Sequence, residues 1–138
     1  MRYSNGGSGG QPAVTNNKAW KDLSSNIPNQ VVNEAGNSDL PGKDGGPYDA
    51  YRHLLWSAEM TRRYGEDIAR FIAEAHEFDG RFRAGQSPQS EAMDRNNNEI
   101  GIDIGRNARS WEDVVRDARA EISRGQKSSG TKVVHQIM

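Results

Sequence analysis

The chain has no cysteine in 138 residues. That absence excludes a disulfide framework, a thiolate zinc site and a cysteine nucleophile together. Long apolar runs are missing as well. No stretch approaches the ~20 apolar residues of a membrane span, and the opening MRYSNGGSGGQP lacks the apolar core of a signal peptide. Hydrophobic residues make up 33% of the chain, and the mean hydropathy is −0.92. Both values are low for a globular chain, so polar ends around a smaller core are expected. A basic excess is also absent, since the net charge is −1. An extended DNA or RNA binder would need a positive footprint that this chain lacks.

What is present fits one soluble domain with a single core. Between Asp44 and Gln126 every basic residue is arginine, and acids still outnumber them. Arginine suits bidentate pairing with carboxylates, the plainer reading, and phosphate recognition, the sharper one. Residues 1–14 are Gly/Ser/Asn-rich and read as a flexible leader. Helical spacing and breakers then predict an all-α bundle of four or five short helices over residues 15–125, followed by a tail, 126–138, that is disordered or an edge strand. The first helix is predicted from about Asn17 to Ser25, interrupted at Pro28 and resumed by NQVVNEA. Residues 36–47, GNSDLPGKDGGP, form a loop by every breaker signal. Pro47 suits the first position of a helix over 48–64, which Gly65 stops. Further helices are expected over 66–78, ending before Gly80, over Gln89–Ala108, and from Ser110 to Gly125.

Helical phase sorts the side chains. On the 48–64 helix, Tyr51, Leu54, Leu55 and Ala58 share one apolar face, while Asp49, His53, Trp56 and Met60 share a second. A helix apolar on two sides is central. Asp49 lies one turn before His53, so its carboxylate is expected to orient the ring and leave the other nitrogen available. Arg52 is placed on a third, salt-bridged strip with Glu59 and Arg63. On the next helix the apolar stripe is Ile68, Phe71, Ile72 and Ala75, with His76 on its edge. On 89–108, Met93, Ile100, Ile104 and Ala108 form a seam containing Asn97 and bordered by Asp94, Gly101 and Gly105. Glycines four apart allow close helix approach, the plain explanation for them. An asparagine in a seam must find partners.

Several motifs fail. DRNNNEIGIDIG begins like a calcium loop, but Glu99 stands where the turn glycine belongs and Gly105 where the bidentate acid belongs. His76-Glu77 has no second histidine to complete HExxH, and no phosphate-cradling glycine loop exists. The remaining candidates are His53, His76, Glu77 and Asp94 as catalytic groups, with Arg52, Trp56, Asn97 and Asn98 binding substrate. Two histidines and a carboxylate, His53, His76 and Asp94, would suit a divalent metal with an open position. The same residues could cleave a phosphodiester without metal, by acid–base work with arginine support. Glu77 and Asp94 could instead form a glycosidase-type pair, a route to cell-wall glycan hydrolysis.

Quoted together, DAYRHLLW, AHE and MDRNNNEIG resemble an uncharacterised bacterial domain family with the pattern Asp-Ala-x-Arg-His-x-x-Trp, Ala-His-Glu, Met-Asp-x-x-Asn-Asn-x-x-Gly. The match spans Asp49 to Gly101 and carries over Asp49, Arg52, His53, Trp56, His76, Glu77, Asp94, Asn97, Asn98 and Gly101. The resemblance implies a toxin-like effector, or a domain of a larger secreted or phage assembly. The leading expectation is a small hydrolase, metal-assisted or acid–base, with a phosphoester favoured as the otherwise unnamed substrate. The alternative is a non-enzymatic helical module whose polar cluster is a buried structural network.

Overall fold

The computed structural model describes residues 17–129 apart from 44 and 84–86, with side chains described for 17–43, 45–76 and 87–125. The leader at 1–14 and the tail from 130 lie outside the described residues. Five helices follow in order, with no strand among the described residues. Helix α1 is one continuous run made of α-helix Asn17–Lys21, a π turn Asp22–Asn26 and α-helix Ile27–Gly36. Then come α2 Pro47–Tyr64, α3 Glu66–Arg83, α4 Pro88–Asn107 and α5 Trp111–Ser129.

The breakers act where expected in most places and fail in three. Pro28 does not interrupt α1. The chain widens first, with Ile27 N–H reaching back to the Asp22 carbonyl, and Pro28 enters the first turn of the segment that follows. Proline lacks only an N–H, and the first turn leaves that group unused. Helix α3 runs through Gly80 to Arg83, and α5 runs through Gly125 to Ser129. A helical glycine costs only about 1 kcal/mol relative to alanine, too little to end a helix by itself. Gly65 does stop α2, adopting φ 93 and returning its N–H to Thr61. Ser87 caps α4 through the Ser90 N–H, and Ser110 caps α5 through the Asp113 N–H.

Helix α2 is central and packs against all four others. Its Tyr51, Leu54, Leu55, Ala58 and Met60 are completely buried, joined by Ile27, Ile102 and Val114 from α1, α4 and α5. Each leucine, isoleucine, valine or methionine among them contributes roughly 1.5–3 kcal/mol of transfer free energy. Helix α4 approaches α2 through glycines. A Cβ at Gly101 would stand 1.9 Å from Ser57 Oγ and 2.7 Å from the Leu54 carbonyl, and one at Gly105 only 2.4 Å from the Ala58 carbonyl. The α4 seam therefore centres on Asn97, Asn98, Gly101, Ile102 and Gly105, one residue further along than the expected Met93–Ile100–Ile104–Ala108 line. The glycines occupy the middle of the contact rather than its border.

Two other faces differ from expectation. Phe71 is 74% exposed and Ala75 also lies outside, while Ala69 and Ala73 are buried, so the α3 stripe is rotated away from Phe71. Arg52 leaves the Glu59 strip and pairs with Asp49 at 2.6 Å. The completely buried Glu59 is clamped instead by Arg62 and Arg63 at 2.7 Å. A buried carboxylate requires such partners.

Candidate functional site

The loop before α2 builds the site's first wall. Gly42 and Gly46 cross so closely that a Cβ on Gly46 would lie 2.6 Å from the Gly42 Cα, and Gly42 takes φ 81. Only glycine fits both demands. The folded loop offers its Pro41 and Gly42 carbonyls to the Tyr48 and Asp49 N–H groups, while Asp49 Oδ2 accepts from the Gly45 N–H at 3.1 Å. Asp49 is thereby fixed in the first turn of α2, where a carboxylate complements the helix dipole.

One turn later, His53 is 8% exposed. Its Nδ1 lies 3.1 Å from Asn98 Oδ1 on α4. An amide oxygen only accepts, so Nδ1 donates to it, and Nε2 is the ring nitrogen turned the other way. There it meets Asp94 Oδ1 at 3.3 Å and Asp49 Oδ1 at 3.8 Å. A lone pair aimed at two carboxylates is repulsive unless a proton or a cation lies between them. One ligand atom each from Asp49, His53 and Asp94 falls within 4.8 Å of the others, a group that could hold a metal ion.

The arrangement differs from the expected one in two respects. Asn98, foreseen as a substrate contact, orients His53 in the place foreseen for Asp49. The compact ligand group contains Asp49 rather than His76. His76 lies across the Trp56 ring, with centroids 5.2 Å apart, and its ring is 6.3 Å from that of His53. The Glu77 side chain lies outside the described residues, so no carboxylate pair with Asp94 is described.

Two cavities flank the cluster. The larger, about 280 Å³, is bounded by His53, His76, Trp56 and Arg52 on one side and by Pro28, Val31 and Val32 of α1 on the other. Its α1 wall went unforeseen in the sequence. Its only trace there is the apolar pair Val31-Val32, of which Val32 stays 51% exposed in the fold. The smaller, about 10 Å³, is walled by Asp49, Asp94 and Asn97 together with the loop glycines. The fold brings Asp49, Arg52, His53, Trp56, His76, Asp94, Asn97 and Asn98 from three helices into one region.

Among the described residues, fold and site together define an arrangement of five helices in which the central helix and α4 bring together a histidine–carboxylate cluster that could hold a metal ion. The chain belongs to the family described as Domain of unknown function (DUF6973), whose model matches residues 16–126. No curated protein and no solved structure matches it. No helix among the described residues is long and apolar enough to cross a membrane.

Proposed function

We propose that the domain is a small hydrolase in which Asp49, His53 and Asp94 hold a divalent cation and the 280 Å³ cavity takes a phosphoester bearing an apolar group. The observation that carries the reading is the aim of His53: with Nδ1 held by Asn98, Nε2 faces the Asp49 and Asp94 carboxylates, and one ligand atom from each of the three lies within 4.8 Å of the others. A bound cation would supply Lewis acidity and a water of lowered pKa. The chain's own residues do the rest. Asn98 keeps the His53 tautomer, and Arg52, at the cavity edge, offers its guanidinium to ester oxygens. His76 stands on the cavity wall, where a leaving group could take a proton from it. Trp56, Val31 and Val32 supply the cavity's apolar lining. With Arg52 also present, a dication would leave the cluster positive, which suits an anionic substrate better than a neutral glycan. A toxin-like or phage-associated role, as the resemblance implies, is compatible with this chemistry.

The test is hydrolysis of bis(4-nitrophenyl) phosphate by chelator-stripped protein, with and without added Mn²⁺ or Zn²⁺. Activity is expected only with a cation, and His53→Ala and Asp94→Asn should each lower kcat/KM by about 100-fold or more. Cation-independent activity, or full activity in both variants, would break the reading. A second reading is supported by the 2.6 Å Arg52–Asp49 pair, which already neutralises one carboxylate. The 3.3 Å contact between His53 Nε2 and Asp94 would engage the other, giving a structural network. In that case the same substitutions cost about 1–3 kcal/mol of stability, and no activity or cation binding is there to lose.

A further inference from the structure

We infer that Asn97 is a further ligand of the cation site, whose oxygen-rich donor set suits a dication of the Mn²⁺ class. The inference rests on the cation reading above and specifies it. Asn97 is 4% exposed, yet its Oδ1 is fully buried and has no hydrogen-bond partner among the described residues. A buried amide oxygen left in that condition costs about 1–3 kcal/mol, and such atoms are rare enough in folded proteins to need a reason. Its surroundings give one. Asn97 walls the 10 Å³ cavity together with Asp49 and Asp94, a space of about one ion or one water.

Among the described residues, the side-chain oxygens that wall that space are of one kind. Two carboxylates and an amide oxygen are all acceptors, and the nearby Gly45 N–H is already committed to Asp49 Oδ2. Arg52 does not border the small cavity. Asp49 keeps its Arg52 and Gly45 partners, and a cation in that space would answer the Asn97 oxygen, the one acceptor there left without a partner among the described residues. His53 meets the same carboxylates from the side of the larger cavity, so the full set is one imidazole nitrogen and three side-chain oxygens. Oxygen donors suit Mg²⁺, Ca²⁺ and Mn²⁺, while imidazole suits the transition ions, and Mn²⁺ is where the two preferences overlap. The Asn96-Asn97-Asn98 run then has a division of labour: Asn98 holds the histidine and Asn97 faces the ion.

Mn²⁺ titration of the chelator-stripped protein, read from the EPR signal of free Mn²⁺, tests this with the unmodified chain, Asn97→Ala and Asn97→Asp. One ion should bind the unmodified chain. Asn97→Ala should weaken it about tenfold or more, and Asn97→Asp should restore or tighten it. Thermal unfolding separates ligand from scaffold: without metal Asn97→Ala should be as stable as the parent, because it removes an unpartnered oxygen. Added Mn²⁺ should then raise the melting temperature of the parent more than that of the variant. Unchanged Mn²⁺ affinity in Asn97→Ala overturns the inference while leaving the cation reading standing. Zn²⁺ binding without Mn²⁺ binding does the same. Failure of both ions to bind removes the cation reading and the inference together.

Discussion

The two ends of the α2–α4 contact are built from the same pair of helices and differ in almost everything else. Toward the C-terminal end of α2, Ser57, Ala58 and Thr61 lie flat against Gly101 and Gly105. Their hydroxyls turn back onto their own helix, Ser57 Oγ donating to the His53 carbonyl at 2.6 Å and Thr61 Oγ1 to the Ser57 carbonyl at 2.8 Å. Charged neighbours there are fully paired: Glu59 by two arginines, and Tyr64 donating to Asp22 at 2.6 Å. Toward the N-terminal end, the same helices bring Asp49 and His53 against Asp94, Asn97 and Asn98, and leave Asn97 Oδ1 and Asn98 Nδ2 buried without hydrogen-bond partners among the described residues. The closed end explains the open one. Glycine contact brings the backbones so near that the polar side chains one to two turns away must meet. A structure that satisfies every group at one end and not at the other concentrates its unsatisfied valence where a ligand can answer it.

The closed end is where substitution should do the most damage. Gly101→Ala places a methyl against the Leu54 carbonyl as well as Ser57 Oγ, and backbone cannot swing aside. A loss of about 3 kcal/mol is expected, seen as a lower urea midpoint. The helices would also separate at the open end, so a variant that keeps its stability and its Mn²⁺ affinity would sever the link between the two ends.

A smaller effect, about 1 kcal/mol, is expected for Tyr64→Phe at the same end, and it has a pH signature. The Tyr64 hydroxyl, with help from the Asn26 amide, holds the Asp22 carboxyl below its ordinary value. That contribution is present above the ordinary carboxylate range and disappears as pH falls through the lowered value. Burial, followed by the bond to Asp22, pushes the Tyr64 phenol up to about 12. Its contribution is present below the ordinary phenol pKa near ~10 and is lost as pH rises through the raised value. Urea midpoints measured across pH should therefore converge for parent and Tyr64→Phe at the acid extreme, differ at neutral pH in favour of the parent, and at the alkaline extreme turn in favour of the variant, which has no phenol to ionise. A constant difference at every pH would show that the hydrogen bond is not what the phenol contributes.

The smallest change belongs to neither end. Phe71 is 74% exposed, so Phe71→Ser should alter stability by less than about 0.5 kcal/mol. A loss of about 3 kcal/mol would restore the core stripe that helical phase alone suggests.

That case also shows where reading the sequence stops. On α3 the apolar pattern fits two rotations, one with Phe71 inward and one with Ala69 and Ala73 inward. The second wins because small alanines let α3 lie close against its neighbours, a matter of distance between helices that no single helix encodes. The N-terminus of α2 was legible from Pro47 and Asp49, and its stop from Gly65, because these signals act within a few residues through φ restriction, a spare N–H and the helix dipole. Gly80 and Gly125 misled because a helical glycine's local penalty, about 1 kcal/mol, is too small to end a helix by itself. The sharpest difference lies at His53. Its place on a second, buried face of a central helix follows from periodicity alone. Its proton does not, because the tautomer depends on Asn98, 45 positions away along the chain.

The sequence by itself determined the helical class, the central helix with its two faces, and the roster of polar residues that fall on packed surfaces. Those properties follow from short-range geometry: 100° per residue, fixed φ at proline, free φ at glycine. Only the tertiary structure decided which of those residues meet. Asp49 rather than His76 joins His53 and Asp94, and Asn98 rather than Asp49 aims the imidazole, because the Gly101–Gly105 contact sets how closely, and in which register, α4 lies on α2.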